Sequence, residues 1–105
     1  MQTKETEKIT CYTPTKGRDG GTSIPRWKYD CVRRAILTIL EESESGYIAF
    51  KDLPAAVEMQ LSTNQLAKLG SLGWHVTTVK LNMEVEGEII RVAGVKPQRL
   101  MKAPE

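Results

Sequence analysis

The sequence contains only one histidine and two cysteines, and it has no long apolar run. A zinc site would have to draw its ligands from the scattered positions Cys11, Cys31 and His75, so we expect no metal site. No apolar stretch approaches the roughly 20 residues that a membrane-spanning helix needs, and the first residues lack the apolar core of a signal peptide. We therefore expect a cytoplasmic protein that does not contact a membrane.

Catalytic motifs are also missing from the sequence. The one histidine has no acidic partner nearby, no glycine-rich phosphate loop has the required spacing, and no carboxylate pair stands in a recognisable catalytic motif. These absences argue against an enzyme. We expect no bound cofactor, and no small-molecule substrate is evident.

The composition is that of one ordinary globular domain, with 105 residues, of which 40% are hydrophobic and 27% charged. The net charge of +2 is small, but the charges are segregated into basic ends and an acidic middle. The basic groups are Lys16, Arg18, Arg26, Lys28, Arg33 and Arg34 towards one end and Arg91, Lys96, Arg99 and Lys102 towards the other. The acidic middle holds Glu41, Glu42, Glu44, Asp52 and Glu58. Such segregation produces a one-sided field if the two ends meet in space.

The N-terminal residues differ from the rest of the chain. Residues 1–22 are polar and are interrupted by one proline and three glycines, which predicts an arm that is flexible or draped over a domain of residues 23–105. Within this arm, Ile9, Cys11 and Tyr12 alternate weakly, as in a short strand.

Two helices are predicted in the first two thirds of the domain. Apolar residues at spacings of three and four mark the first helix, from an N-cap at Ser23 to about Glu42. The second helix runs from about Leu53 to Leu61, with Asp52 as its cap. Between the two, Tyr47-Ile48-Ala49-Phe50 predicts one short strand.

A short helical piece over residues 63–69 follows, with Ser62 as an N-cap candidate and Gly70 at its end. Two readings of this piece are possible. It is either an insertion after the helix of residues 53–61, which we favour, or the first helix of a helix-turn-helix that includes residues 65–71.

The third main helix is predicted over residues 73–86, and Gly87 ends it. Its core face holds Leu72, Val76, Val79, Met83 and the aliphatic stem of Glu86, whereas Trp74, Leu81 and Val85 form a second apolar stripe on the opposite, outer face. Two strands, over residues 88–92 and 97–102, are then predicted to form a basic hairpin. The expected fold is α+β and mainly helical. It is a winged helix-turn-helix with three main helices, a short strand and a C-terminal β-hairpin wing.

Ordered blocks of residues run through the third helix and the wing. They are Gly73-Trp74, Thr77-Thr78-Val79-Lys80-Leu81, Met83-Glu84, Gly87-Glu88-Ile89, Arg91-Val92, Gly94 and Pro97-Gln98-Arg99-Leu100, with Trp27-Lys28-Tyr29-Asp30 and Phe50-Lys51-Asp52-Leu53 before them. Their order and spacing resemble a family of small, uncharacterised bacterial proteins that is assigned a winged-helix fold. The resemblance covers roughly residues 11–102 and implies a fold but no function. More loosely, the third helix and the wing are similar to those of bacterial winged-helix regulators, in which this helix reads DNA.

Two hypotheses of function follow from this fold. In the first, the protein binds double-stranded DNA, with the helix N-terminus in the major groove and the wing on the backbone. The candidate groove residues are Ser71, His75, Thr77, Thr78 and Lys80, and the candidate phosphate contacts are Arg91, Lys96, Arg99 and Lys102. In the alternative, the outer stripe of Trp74, Leu81 and Val85 binds a protein partner or a second copy, since interface centres are rich in such residues.

Overall fold

The computed structural model describes residues 7–94, 96 and 98–104. This part of the chain forms a small α+β fold with four α-helices and two small antiparallel sheets. In chain order the elements are β1 (Lys8–Thr13), β2 (Gly17–Pro25), α1 (Arg26–Glu42), β3 (Tyr47–Ala49), a 3-10 turn (Phe50–Asp52), α2 (Leu53–Gln60), α3 (Thr63–Leu69), α4 (Leu72–Val85), β4 (Ile89–Arg91) and β5 (Arg99–Lys102). None of the helices in the described residues has the length and apolar character needed to span a membrane.

The second sheet joins the short strand to the C-terminal hairpin. Its strand order is β3-β5-β4, and the last strand lies in the middle. Ile48 is paired with Leu100 on one side of β5, and Ile90 is paired with Met101 on the other. The short strand and the hairpin are therefore paired as predicted, although Pro97, the predicted first residue of the last strand, lies outside the described residues.

The hydrophobic core lies between the helices and this sheet. Val32 and Ile36 of α1 pack with residues of α2, α4, β4 and β5 that are fully buried, namely Leu53, Val57, Val76, Val79, Met83, Ile89 and Leu100. The predicted core face of α4 is confirmed for Val76, Val79 and Met83. Glu86 does not belong to this face, because α4 ends at Val85 and the exposed side chain of Glu86 pairs with Arg18.

The N-terminal segment forms a β-hairpin in its described part. β1 and β2 are antiparallel, with Ile9 paired with Ile24, and Cys11 and Ile24 are both 3% exposed within the core. β2 continues to Pro25 and α1 begins at Arg26, so the prediction that Ser23 caps the first helix is wrong. Ser23 lies inside the strand, and Pro25 precedes the helix without a side-chain cap. The division of the chain into an arm and a domain stays a prediction.

The boundaries of the middle helices agree closely with those predicted from the sequence. α2 begins at Leu53 as predicted, but the side chain of Asp52 makes no capping hydrogen bond. α3 covers residues 63–69, and Ser62 caps it in a reciprocal capping box with Gln65. Gly70, with φ of 89°, ends α3, and the Ser71 hydroxyl then accepts a hydrogen bond from the Trp74 N–H to start α4. The short helical piece is thus a separate helix that leads directly into α4.

Candidate nucleic-acid interface

Helix α4 is surrounded on three sides by other parts of the chain. Its inner face packs on α1 and α2, the N-terminal hairpin packs along one flank, and the C-terminal sheet lies against the other. Six of its fourteen residues are buried as a result, including the polar residues His75, Lys80 and Asn82. The solvent reaches the helix mainly at its N-terminal half, where Gly73, Trp74 and Thr77 are exposed.

A buried amide fastens the N-terminal hairpin to α4. Asn82 is 2% exposed, and its Oδ1 accepts a hydrogen bond from the Tyr12 N–H at 2.8 Å. Its Nδ2 donates to the Tyr29 hydroxyl at 2.9 Å, and burial raises the pKa of Tyr29 above its ordinary value. Asn82 therefore joins three elements, β1, α1 and α4, through one side chain.

The tip of the hairpin reaches the opposite flank of the same helix. Pro14 and Thr15, in the turn after β1, line a groove together with Glu84, which lies about 160° from Asn82 around the helix at 100° per residue. The hairpin thus crosses the outer face between these two positions. Leu81 and Val85 stand there and are half-buried, so this part of the predicted interaction stripe is covered by the chain itself.

Trp74 is the part of the stripe that remains open to solvent. Its side chain is 46% exposed in the first turn of α4, and its ring meets the His75 ring edge-on at 4.8 Å between centroids. His75 itself is 8% exposed, and its Nδ1 lies 2.7 Å from the Ser71 carbonyl oxygen. Because a carbonyl can only accept, Nδ1 carries the proton and donates it. The imidazole is turned inward, which differs from the groove position expected for it.

Lys80 lies in a buried polar network on the other flank of α4. Its side chain is 3% exposed, and its Nζ is 2.7 Å from Glu84 Oε2, 3.1 Å from Gln98 Oε1 and 4.6 Å from the centre of the Phe50 ring. Glu84 Oε2 has no hydrogen bond of regular geometry, so the nearby ammonium compensates its charge by an ion pair. Because it is buried in this network, Lys80 is not exposed for the groove contact predicted for it. It instead joins α4 to the residues before β5.

The cations of the wing differ in what surrounds them. Arg91 donates from Nε to Glu84 Oε1 at 3.1 Å, and Lys102 pairs with Glu41 at 3.1 Å. The guanidinium of Arg99 lies 4.7 Å from the centre of the Tyr47 ring, which is a cation–π contact and not an ion pair. Lys96, near the tip of the wing, is exposed. Arg99 and Lys96 are therefore better placed for phosphate contacts than Arg91 and Lys102.

Half of the six basic groups named at the N-terminal end are also paired with acids within the chain. Arg18 contacts Glu86 and Arg26 contacts Glu7, at 3.4 and 3.2 Å. Arg33 of α1 forms an ion pair with Glu88, and this hydrogen bonding raises the pKa of Arg33. The basic ends that the sequence shows are thus partly neutralised by acids next to β4 and in the first described residues.

The sequence reasoning missed a long segment without carboxylates. Residues 59–83, which include α3 and most of α4, contain no aspartate or glutamate. Lys68 is exposed in the last turn of α3, directly before the N-terminus of α4. A count of aspartate and glutamate residues along the chain would have found this segment, because the signal is their absence from one continuous stretch of sequence. A polyanion that approached this segment would meet no carboxylate from it and would therefore not be repelled by it.

The remaining candidates, Ser71, Thr77 and Thr78, lie on the first two turns of α4. The Ser71 side chain is the N-cap of the helix, Thr77 is exposed, and Thr78 is half-buried. Among residues 7–94, 96 and 98–104, no three histidine, cysteine or acidic side chains are grouped so that they could hold a metal ion. Cys11 and Cys31 are free thiols.

Comparison with known proteins gives one match. A model of a family of unknown function (DUF6958) matches residues 8–100 of the chain, which include the N-terminal hairpin as well as α4 and the wing. No curated protein and no solved structure matches the chain significantly.

Proposed function

The chain belongs to the family of unknown function DUF6958, and we propose that it is a winged-helix module that binds double-stranded DNA. The groove contacts come from Ser71, Thr77 and Thr78 in the N-terminal half of α4. The phosphate contacts come from Lys68, in the last turn of α3, and from Lys96 and Arg99 of the C-terminal hairpin. The proposal includes the bacterial origin that the sequence resemblance implies and a location in the cytoplasm.

The observation that carries the proposal is the arrangement of α4 and the C-terminal hairpin. The order α1, β3, α2, α3, α4, β4, β5, with β3 paired to the last strand, is consistent with a winged helix that has α3 as an additional helix. The buried contact between Lys80 and Gln98 keeps the residues before β5 beside α4. A helix and a hairpin held side by side are the two parts with which such domains contact the major groove and the backbone.

Electrostatics favours the N-terminal half of α4 as the surface that meets DNA. The partial positive charge of the helix dipole is at this end, and residues 59–83 carry no carboxylate that would repel phosphates. The C-terminal half is less suitable, because the hairpin crosses its outer face. A helix fills most of a major groove about 12 Å wide, so a helix with a strand on its outer face cannot enter at that point. The proposed contact is therefore end-on.

The test is fluorescence anisotropy with a labelled, mixed-sequence duplex at about 50 and about 200 mM salt. Non-specific binding is expected with a Kd on the order of 10⁻⁴ to 10⁻⁶ M. Three phosphate contacts predict that affinity falls about 40-fold between these salt concentrations, from a slope of roughly −2.7 in log–log form. Absence of binding at the lower salt concentration would refute the proposal.

Two charge variants test the assignment of the wing cations. Lys96→Gln should make the salt slope shallower by about 0.9, as expected for the loss of one phosphate contact. Lys102→Gln is the matched control, since this cation already pairs with Glu41, and its slope should match that of the unsubstituted protein. An equal change in both variants would show that the wing contributes only its general charge.

A second candidate function, association with a protein partner, rests on the exposure of Trp74. An exposed tryptophan is among the residues that most often dominate binding energy at interfaces. Leu81 and Val85 contribute less to this surface than the sequence suggests, because the hairpin covers them. Trp74→Ala should abolish such binding and leave the salt slope for DNA unchanged, whereas a steep loss of DNA affinity would instead place Trp74 in the DNA contact.

A further inference from the structure

An apolar groove lies on a different face of the molecule, between the end of α1, the edge strand β3 and helix α2. Its volume is about 350 Å³, and Ile39, Ile48, Ala56, Tyr47 and Met59 supply its apolar walls. Two of the four large apolar side chains that are exposed in the described part of the chain border it, Met59 at 85% and Tyr47 at 37%. Large apolar groups exposed next to each other mark surfaces that bind another molecule.

The solvent face of α2 is unusually poor in charge. Glu58 is the one charged residue within α2, and the other exposed residues of the helix are Ala55, Met59 and Gln60, next to the half-buried Ala56. Small side chains at positions 55 and 56 allow another helix to approach closely. Solvent-facing sides of helices normally carry charged or polar groups, so this face has the character of a contact surface.

The same region is not suited to the addition of a strand. β3 is an edge strand, but it has three residues, and its first carbonyl already accepts hydrogen bonds from the hydroxyls of Ser43 and Ser45 at 2.8 and 3.2 Å. An edge that is short and partly occupied is a poor template for pairing. An occupant of the groove must therefore bind through side chains.

We propose that the groove is the interface of a two-fold symmetric homodimer, in which Met59 of each copy enters the groove of the other. Met59 stands at the rim of the groove that it would fill in the partner. A two-fold axis close to α2 can therefore exchange both methionines in a single isologous contact. The groove lies away from the N-terminal half of α4, and Arg99 is the one residue that it shares with the proposed phosphate contacts. The inference does not depend on DNA binding.

The charges around the groove favour a second copy as the occupant. Glu42 lines the helical side of the groove, whereas Arg99 stacks on Tyr47, which lines the side of the sheet. A two-fold rotation reverses these sides, so the acidic rim of one copy faces the basic rim of the other. The groove is thus complementary to itself in charge.

Sedimentation velocity over about 10 to 1,000 μM protein tests the proposal. The contact surface is small, and interfaces below about 1,200 Å² are typically weak, so we expect dimerisation with a Kd on the order of 10 to 100 μM. Met59→Asp should weaken association at least about tenfold, since it places a charge in an apolar groove, whereas Met59→Leu should preserve it. Both variants should fold, because the side chain is exposed. A protein that stays monomeric at the highest concentration would overturn the proposal.

A charge-exchange experiment tests the two-fold geometry. Glu42→Lys alone brings like charges together at both ends of the interface, and Arg99→Glu alone does the same with the opposite sign. Each variant should associate less tightly than the unsubstituted protein. An equimolar mixture of the two should form a heterodimer at least about tenfold tighter than either homodimer, because both pairs are then complementary. A mixture no tighter than its components would contradict the symmetric arrangement.

Trp74→Ala separates this interface from one at α4. The variant should dimerise as the unsubstituted protein does if the groove forms the contact. Loss of the dimer in Trp74→Ala, together with its persistence in Met59→Asp, would place self-association at the exposed end of α4 and overturn the proposal.

Discussion

Replacement of Asn82 by alanine should loosen the N-terminal hairpin from the rest of the fold. The substitution removes the acceptor of the Tyr12 N–H and the donor to the Tyr29 hydroxyl. A buried polar group left without a partner costs about 1–3 kcal/mol. The cost at Tyr12 should be near the lower end, because this residue is half-buried and water can reach it, whereas Tyr29 is 5% exposed. We expect a total loss of roughly 2–4 kcal/mol in the free energy of unfolding.

Urea denaturation followed by circular dichroism measures this loss, and amide hydrogen exchange locates it. The Tyr12 amide should exchange faster in Asn82→Ala, since its acceptor is gone. Asn64→Ala, at an exposed position of α3, is the matched control and should cost less than about 0.5 kcal/mol. In a Tyr29→Phe background the Asn82 substitution should cost less, because one of its two partners is already absent. A loss below about 0.5 kcal/mol, or unchanged exchange at Tyr12, would refute the role given to Asn82.

Three further predictions concern other elements. Lys80→Met should destabilise the fold by about 3 kcal/mol by leaving Glu84 buried beside Arg91 alone, whereas Lys102→Met should cost at most about 1 kcal/mol; urea unfolding compares the two. Burial raises the pKa of Cys11 from 9.0 to about 11. The contribution of the neutral thiol to the free energy of unfolding should therefore be fully present below pH 9 and fall by roughly 2–3 kcal/mol up to pH 11. Cys11→Val should remove this decrease. Ser62→Ala should cost about 1 kcal/mol through loss of the α3 cap, and an unchanged urea midpoint would contradict the capping box.

The elements that local signals specify could be predicted from the sequence. α3 lies between a capping serine and a glycine at positive φ, Ser62 and Gly70, and both ends were found for that reason. The inner face of α4 follows from the spacing of Val76, Val79 and Met83, which one period of 3.6 residues explains. Such signals are contained in a few neighbouring residues, and no knowledge of the rest of the fold is needed to read them.

Features that depend on distant neighbours could not be predicted in the same way. β2 has six consecutive exposed residues, from Arg18 to Ser23, and therefore no alternation that would indicate a strand. It is a strand because β1 pairs with it and because Ile24 reaches the core. Likewise, the helical wheel places Lys80 and His75 on the flanks of α4, but their burial depends on Phe50, Gln98 and the local backbone. The observed site therefore differs most from the predicted one at those residues of α4 whose surroundings are supplied by other elements.

The N-terminal hairpin is synthesised long before α4, the helix on which it packs. The hydrogen bond from Tyr12 to Asn82 joins residues 70 positions apart, so at 5–20 residues per second the ribosome needs roughly 4–14 s to supply the partner of the first strands. An isolated two-stranded hairpin is marginally stable. Until α4 leaves the ribosome, Cys11 and Ile24 have no core to enter, and we expect nascent chains that end before residue 82 to be cleaved readily by protease within β1 and β2. The hairpin is thus made well before the helix that holds it in place.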